Sequence, residues 1–177
     1  VPMLRVGQSH YSYILNPNGS VMDDVYIYKL ANDRYMIVVN AVNAEKIKAW
    51  FEAVNSGEVL IDVENPWKMV EDKVEIRDLK DERSGQDQRV DLGLQGPNSL
   101  EILQKISDDP EQRLRISQLR RSELIHEELR GIDLIISRSG YTGEEVGYEL
   151  YVHPRKAPEL WDMILEEGAS LGVKPAG

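Results

Sequence analysis

The sequence predicts an α+β fold of antiparallel sheets with flanking helices. Strand-like runs follow one another through short turn signals at Asn16-Pro17-Asn18-Gly19, Asn32-Asp33 and Arg130-Gly131. Strands joined this way pair antiparallel. Between them lie runs whose apolar residues recur at helical spacing. A length of 177 residues with 41% apolar content suits one good core or two small ones.

Taken in order, His10 to Leu15 reads as a strand, and Asn16 to Gly19 turns the chain back. Val21 to Leu30 is the return strand, with Val25, Ile27 and Lys29 on one face and Tyr26, Tyr28 and Leu30 on the other. Tyr35 to Val39 is a short β-branched strand. Asn43 is placed to cap a helix through about Val54, whose stripe is Ala44, Ile47, Phe51 and Val54 with Trp50 beside it. The stretch 57–88 is dense in charge and reads as an insertion, with a strand expected at Val74 to Leu79 and a turn at Ser84 to Asp87. A strand follows from Arg89 to Leu94. The next helix has the stripe Leu100, Leu103 and Ile106, with Ile102 alongside, and Asp108-Asp109-Pro110 ends it. Ser122 to Leu129 and Ile132 to Arg138 form a hairpin. Tyr148 to Val152 is the last strand, and a helix from Pro158 to about Leu171 buries Leu160, Trp161, Ile164 and Leu165.

The chain thus divides into 1–56, a first α+β part; 57–88, the charged insertion with a connecting strand; and 89–177, a second α+β part. A formal net charge of −10 argues against wrapping nucleic acid, which draws on an excess of Lys and Arg. No run approaches a membrane span. The absence of cysteine excludes disulfides, thiolate zinc sites and a cysteine nucleophile within the segment. Val1 in place of an initiator methionine, and a stop at Gly177 directly after a helix, read as the ends of an excised fragment.

Ser139 to Leu150 is the run richest in chemical information. Its three glycines shape a loop, but neither Gly140-x-x-Gly143 nor Gly143-x-x-x-Gly147 has the spacing of a phosphate cradle. Glu144 and Glu145 would repel a phosphate at short range. A neutral or partly cationic ligand rich in hydrogen-bond donors suits the run better. Glu149 on the following strand shares its face with Gly147 and Tyr151 and offers a carboxylate to such donors.

Four segments carry a family resemblance: Tyr11 through Tyr28 around Val21-Met22-Asp23-Asp24; Val38 through Lys46; Leu94-Gln95-Gly96-Pro97; and Ser137 through Glu149. Together and in this order the chain resembles the aminomethyltransferase of the glycine cleavage system, the T-protein. Lys174-Pro175-Ala176-Gly177 resembles the start of that family's next motif. The resemblance implies a folate-binding fold of two interlocked α+β subdomains. It implies transfer of a one-carbon unit from the aminomethyl-lipoyl arm of a carrier, the H-protein, to tetrahydrofolate, with release of ammonia. It also implies tetrahydrofolate as acceptor substrate, no metal, no nucleic-acid or membrane partner, and a cytoplasmic location in a bacterium.

Carried over residue by residue, Asp24 is the implied catalytic carboxylate and Glu149 the implied pterin acceptor. Tyr11, Tyr28, Asn40 and Tyr141 are the implied pocket residues. Read from residue type alone, Asp24 is a turn-proximal surface acid and Glu149 a solvent-facing strand acid. Asn40 has a second reading too, satisfying backbone groups where strand passes to helix. A related folate-dependent demethylase and a non-catalytic folate-binding protein of iron–sulfur maintenance stand as alternatives. Val146 reads as an extra residue that shifts how Glu149 is presented, and the stretch around Gly57 to Asp72 is longer than the family pattern. Arg113, Arg115, Arg120 and Arg121 form a basic patch suited to a polyglutamate tail or an acidic carrier, or simply to solvent. His10, His126 and His153 lack metal-ligand spacing.

Overall fold

Residues 3–176 are described by a computed structural model. The chain forms two compact units, one ending at Arg77 and the other beginning at Asp78. The charged stretch 57–88 runs across that boundary.

The first unit holds a three-stranded antiparallel sheet in the order β1 (Ser9–Leu15), β2 (Val21–Lys29), β3 (Tyr35–Val38). The turn between β1 and β2 is built by Asn16, whose Oδ1 accepts from the amides of Asn18 and Ser20, both at 3.0 Å. Helix α1 (Ala44–Ser56) follows a 3-10 turn, buries Ile47 and half-buries Phe51, Val54 and Trp50, as its stripe predicts. It ends at Gly57, whose φ of 79° lets the chain close back on Ala53 and Val54. Asn43 stands at the helix start but makes no capping bond; its side chain is drawn to Asp23 instead.

The strand expected at Val74 to Leu79 does not form. Its backbone finds no neighbouring strand; Val74 pairs instead with the Asn55 side-chain amide, donating to Oδ1 at 2.9 Å and accepting from Nδ2 at 2.9 Å. One amide replaces one rung of a ladder and goes no further.

The second unit is a four-stranded antiparallel sheet in the order β4-β7-β6-β5, from β4 (Val90–Gln95), β5 (Leu124–Leu129), β6 (Ile132–Ser137) and β7 (Gly147–Val152). Arg130 and Gly131, with φ of 48° and 78°, make the two-residue turn between β5 and β6 that a type I′ hairpin requires. Helices α2 (Ser99–Ile106), α3 (Pro110–Gln118) and α4 (Ala157–Gly168) supply Leu103, Ile106, Ile116, Leu160 and Ile164 to a core shared with alternate residues of the strands. Ile102 belongs to the buried α2 face with Leu103 and Ile106 rather than lying alongside it, while Leu100 is only partly buried. On α4, Trp161 is not part of the buried face but 36% exposed; Leu160 and Ile164 define the contact and leave it on the flank.

Helix α3 is absent from the sequence expectation. Asp108-Asp109-Pro110 closes α2 but also opens α3, because Asp109 accepts from the Glu111 amide at 3.0 Å and Pro110 takes the first turn. The helix presents only Gln112 and Ile116 to the interior, so its apolar periodicity is faint.

Leu150 is fully buried on β7, between β4 and β6. Leu150→Ala is expected to cost about 2–5 kcal/mol, read as a lower urea midpoint with an unchanged denaturant slope.

Candidate functional site

In the first unit, strand alternation sends the adjacent residues Asp23 and Asp24 of β2 to opposite faces. Asp23 is 4% exposed, sealed by its immediate partners rather than by depth. It accepts from the Asn40 amide N–H at 3.1 Å, from Asn40 Nδ2 at 2.8 Å and from Asn43 Nδ2 at 2.7 Å. Burial pushes its carboxyl up, but the donors of Asn40 and Asn43 outweigh it and hold the group below the ordinary carboxylate range.

Asp24 is exposed. Tyr11 Oη donates to its Oδ2 at 2.9 Å, and Asn40 Nδ2 donates to its Oδ1 at 2.9 Å and to its backbone oxygen at 3.2 Å. Each carboxylate oxygen is thereby oriented by one donor. Hydrogen bonding with Tyr13 and then with Asp24 pushes the Tyr11 phenol well above its ordinary range, so it stays a donor. Asn40 thus joins the two aspartates, and the groups it satisfies are carboxylates as well as a carbonyl. Tyr28 is fully buried, whereas Tyr11 is 44% exposed.

In the second unit, Glu149 is 6% exposed on the sheet face turned away from the helices. Its Oε2 accepts from the Ser139 hydroxyl and, at 3.4 Å, from Tyr151 Oη. Ser137 and Ser139 hydroxyls lie 2.8 Å apart. A carboxylate this enclosed needs such partners. Tyr141, at the tip of the glycine loop, is 90% exposed. Val146 is absorbed before β7 begins: its carbonyl accepts from the Gly96 amide at 2.8 Å, its side chain packs against the core, and the register from Gly147 to Val152 is unbroken.

Two further residues carry weight here that the sequence reading did not single out. Gln95 lies under the glycine loop. Its Nε2 donates to the Tyr148 carbonyl at 3.2 Å, and its Oε1 accepts from Thr142 Oγ1 at 3.2 Å. A β-carbon at Gly140 would stand 2.3 Å from Gln95 Oε1, and one at Gly147 only 2.0 Å from it. The Gln95 side chain, rather than a ligand cradle, fills the space beside both glycines, and Gly140 also holds a φ of 159°. The signal was present in Leu94-Gln95-Gly96-Pro97, but spacing alone does not reveal which side chain fills a loop. Asp91 shares the Glu149 face by register. Crowding by its neighbours and then the Glu149 charge push its carboxyl up, to about 7. Water at its exposed side screens part of that push.

The arginines of the basic patch are partly committed within the unit. Arg115 pairs with Glu127 at 2.6 Å, and Arg113 Nε donates to the Ser107 carbonyl at 2.8 Å. Among the described residues no group of three or more His, Asp or Glu is arranged to hold a metal ion. No helix among them is long and apolar enough to cross a membrane.

The family model described as the GCVT N-terminal domain matches residues 1–177. The aminomethyltransferase of Caldanaerobacter subterraneus subsp. tengcongensis is 36% identical over 174 residues, covering 98% of this chain and 40% of that protein. That of Halothermothrix orenii is 35% identical, covering 100% of this chain and 42% of that protein. The crystal structure of glycine cleavage system aminomethyltransferase T from Bartonella henselae superposes with a TM-score of 0.61 at 27% identity, covering 93% of this chain and 37% of that one. The chain spans about 40% of the length of the curated relatives it matches.

Asn40→Ala removes donors from both aspartates and is expected to cost about 1–3 kcal/mol near neutral pH. Because the folded pKa of Asp23 is depressed, the stability it contributes is present above the unfolded value of about 3.9 and is lost as pH falls through the folded one. The gap between wild type and Asn40→Ala in urea unfolding should therefore shrink as pH falls below about 4.

Proposed function

The chain belongs to the family of the GCVT N-terminal domain, and on that premise we propose that the protein is a tetrahydrofolate-dependent aminomethyltransferase of the glycine cleavage system. It takes the one-carbon unit from the aminomethyl-lipoyl arm of a carrier protein, the H-protein, passes it to tetrahydrofolate and releases ammonia. The observation that carries this reading is the exposed Asp24 carboxylate, oriented at one oxygen by Tyr11 and at the other by Asn40.

An ionised carboxylate oxygen accepts more than one hydrogen bond, so each oxygen of Asp24 keeps capacity for a substrate proton. As the folate amine attacks the one-carbon unit it must lose a proton, and the reacting centre carries positive charge. A fixed carboxylate accepts the one and stabilises the other. General-base action of this kind is worth roughly 10²–10⁴-fold. Tyr11, held protonated, and Asn40, held by Asp23, keep the carboxylate from turning between substrates.

Glu149 is the proposed acceptor for the pterin amino group and ring N–H, a pair of parallel donors that a carboxylate matches. Its low exposure and the hydroxyls of Ser139 and Tyr151 that fix its orientation support this role. Tyr141 is proposed to line the folate site, and Tyr28, fully buried against Tyr26, to back it.

In the full-length protein, Asp24→Asn should cut formation of methylenetetrahydrofolate from an aminomethyl-loaded lipoyl carrier at least about tenfold, with the folate dissociation constant largely kept. An unchanged rate would remove Asp24 from catalysis. Glu149→Ala should weaken folate binding about tenfold or more by calorimetry, the scale of a hydrogen bond to a charged group; an unchanged dissociation constant would take Glu149 out of the pocket.

A further inference from the structure

The face of the second sheet that carries Glu149 has a gap in its layer of side chains. Gly93 of β4 stands directly opposite Glu149. It is exposed in mid-strand, and its φ lies outside the left-handed region. A β-carbon built there would meet only Gln95 Nε2 within 4 Å, at 3.8 Å. Neither backbone geometry nor packing calls for glycine at this position. A strand glycine of that kind suits close approach of a ligand to the backbone.

Asp91 closes one end of the gap. It shares the face with Glu149 by strand alternation and stands in register with Tyr151. Tyr151 Oη in turn donates to Glu149 Oε2 at 3.4 Å. Diagonal neighbours on adjacent strands stand about 7–8 Å apart, so the two carboxyl groups bracket a space fit for one small group. An amino nitrogen with an acceptor about 2.9 Å away along each N–H bond holds those acceptors about 5 Å apart. Crowding by its neighbours and then the Glu149 charge push the Asp91 carboxyl up to about 7, while Lys80 and the Leu150 amide favour its ionised form. At this end of the sheet Arg89 pairs with Asp133, and His153 Nε2 donates to the Gly85 carbonyl at 3.2 Å. Asp91 and Glu149 together thus offer acceptors and, when Asp91 holds its proton, a donor.

We propose that Asp91 is a specificity-determining residue for the ligand of Glu149: over Gly93, the two carboxyl groups clasp the amino group of a 2-amino-4-oxopyrimidine ring from its two sides. The inference rests on the transferase reading, in which the pterin of tetrahydrofolate contains that ring. Asp91 and Gly93 lie outside the site residues that the family resemblance assigns. Glu149 takes the ring N3–H and one amino hydrogen. Asp91 accepts the other amino hydrogen at one oxygen and donates from its hydroxyl to ring N1. Only the protonated acid has that donor. The clasp is therefore complete below the Asp91 midpoint and is lost as pH rises through it. A ring without the amino group has nothing to bridge the two carboxyls.

The test is the pH dependence of tetrahydrofolate affinity, measured by calorimetry on the full-length protein at pH 6 and pH 8. Isocytosine serves as the bare ring and pyrimidin-4-one as its counterpart without the amino group, both followed by NMR amide shifts. Wild type should bind tetrahydrofolate about tenfold or more weakly at pH 8 than at pH 6. Asp91→Asn carries an amide that donates to N1 and accepts from the amino group at either pH. It should keep the pH 6 affinity within about twofold and lose the pH dependence. Asp91→Leu should weaken binding about tenfold at pH 6. Gly93→Val should weaken binding while its urea midpoint stays at or above that of wild type. Isocytosine should follow the same pattern, and pyrimidin-4-one should not distinguish Asp91→Leu from wild type. Equal pH dependence in wild type and Asp91→Asn, or equal pH 6 affinity in wild type and Asp91→Leu, would overturn the assignment. Should Asp91→Leu fail to fold, the Asp91→Asn profile decides. Either overturning result, with tetrahydrofolate still bound and turned over, leaves the transferase reading in place. The isocytosine pattern without tetrahydrofolate binding keeps the clasp and removes the transferase reading, and binding of neither overturns both.

Discussion

Strand β7 has no side open to water, and the second unit is arranged around that constraint. All six of its residues are buried, with β4 on one side and β6 on the other. Tyr148, Leu150 and Val152 join the helix-side core, so the alternate residues must lie on the other face. One of these is a glutamate. Enclosing an ionised carboxylate is costly unless hydrogen bonds replace the lost water. The chain meets that demand locally: β6 ends in Ser137, Ser139 follows two residues on in the loop, and Tyr151 lies two residues further along β7. The path of the loop between β6 and β7 is therefore tied to the carboxyl group whose oxygen it must satisfy.

The first unit solves a related problem with two carboxylates instead of one. Asp23 and Asp24 are neighbours in sequence but differ in environment, one enclosed and one open. The enclosed member gathers the amides of Asn40 and Asn43 and so anchors the segment leading into α1 to the first residues of β2. The open member receives what the anchoring leaves over, a side-chain amide already fixed in place, and adds the phenol of Tyr11 from the next strand. Rigidity accumulates at Asp23 and is delivered at Asp24. An exposed acid gains a fixed orientation from having its scaffold built on a different residue.

Most of this architecture was legible in the sequence, because the elements with strong periodicity or strong turn chemistry are the ones that form. Asn16 to Gly19 and Arg130-Gly131 turn where their backbone preferences require. The α1 stripe of Ala44, Ile47, Phe51 and Val54 packs inward. The misses share a cause. Val74 to Leu79 has β-branched residues but no partner strand, and pairing is a property of the neighbour rather than of the segment. Helix α3 is announced by Asp109-Pro110, yet so few of its side chains are apolar that its interior signal is faint. At the candidate site, the motifs and the family resemblance they carry singled out Asp24 and Glu149 as candidates. Neither could disclose that Asn40 serves both aspartates, that Tyr13 faces Asp24, or that Gln95 occupies the glycine loop. These are facts of register and of side-chain reach.

Gln95 imposes an order on change. Its amide oxygen stands where a β-carbon would fall at Gly140 and again at Gly147. While glutamine is present, neither glycine can be replaced without forcing the loop or the side chain to move. Shortening Gln95 clears the space at both positions, while Gly140 keeps a φ of 159° that a β-carbon resists, and the loop loses the bonds that Gln95 makes to the Thr142 hydroxyl and the Tyr148 carbonyl. The three sites are thus coupled: a β-carbon at either glycine displaces the end of the Gln95 side chain, and a change at Gln95 begins with a loosened loop. The freedom of this loop to vary is governed from a strand that is not part of it.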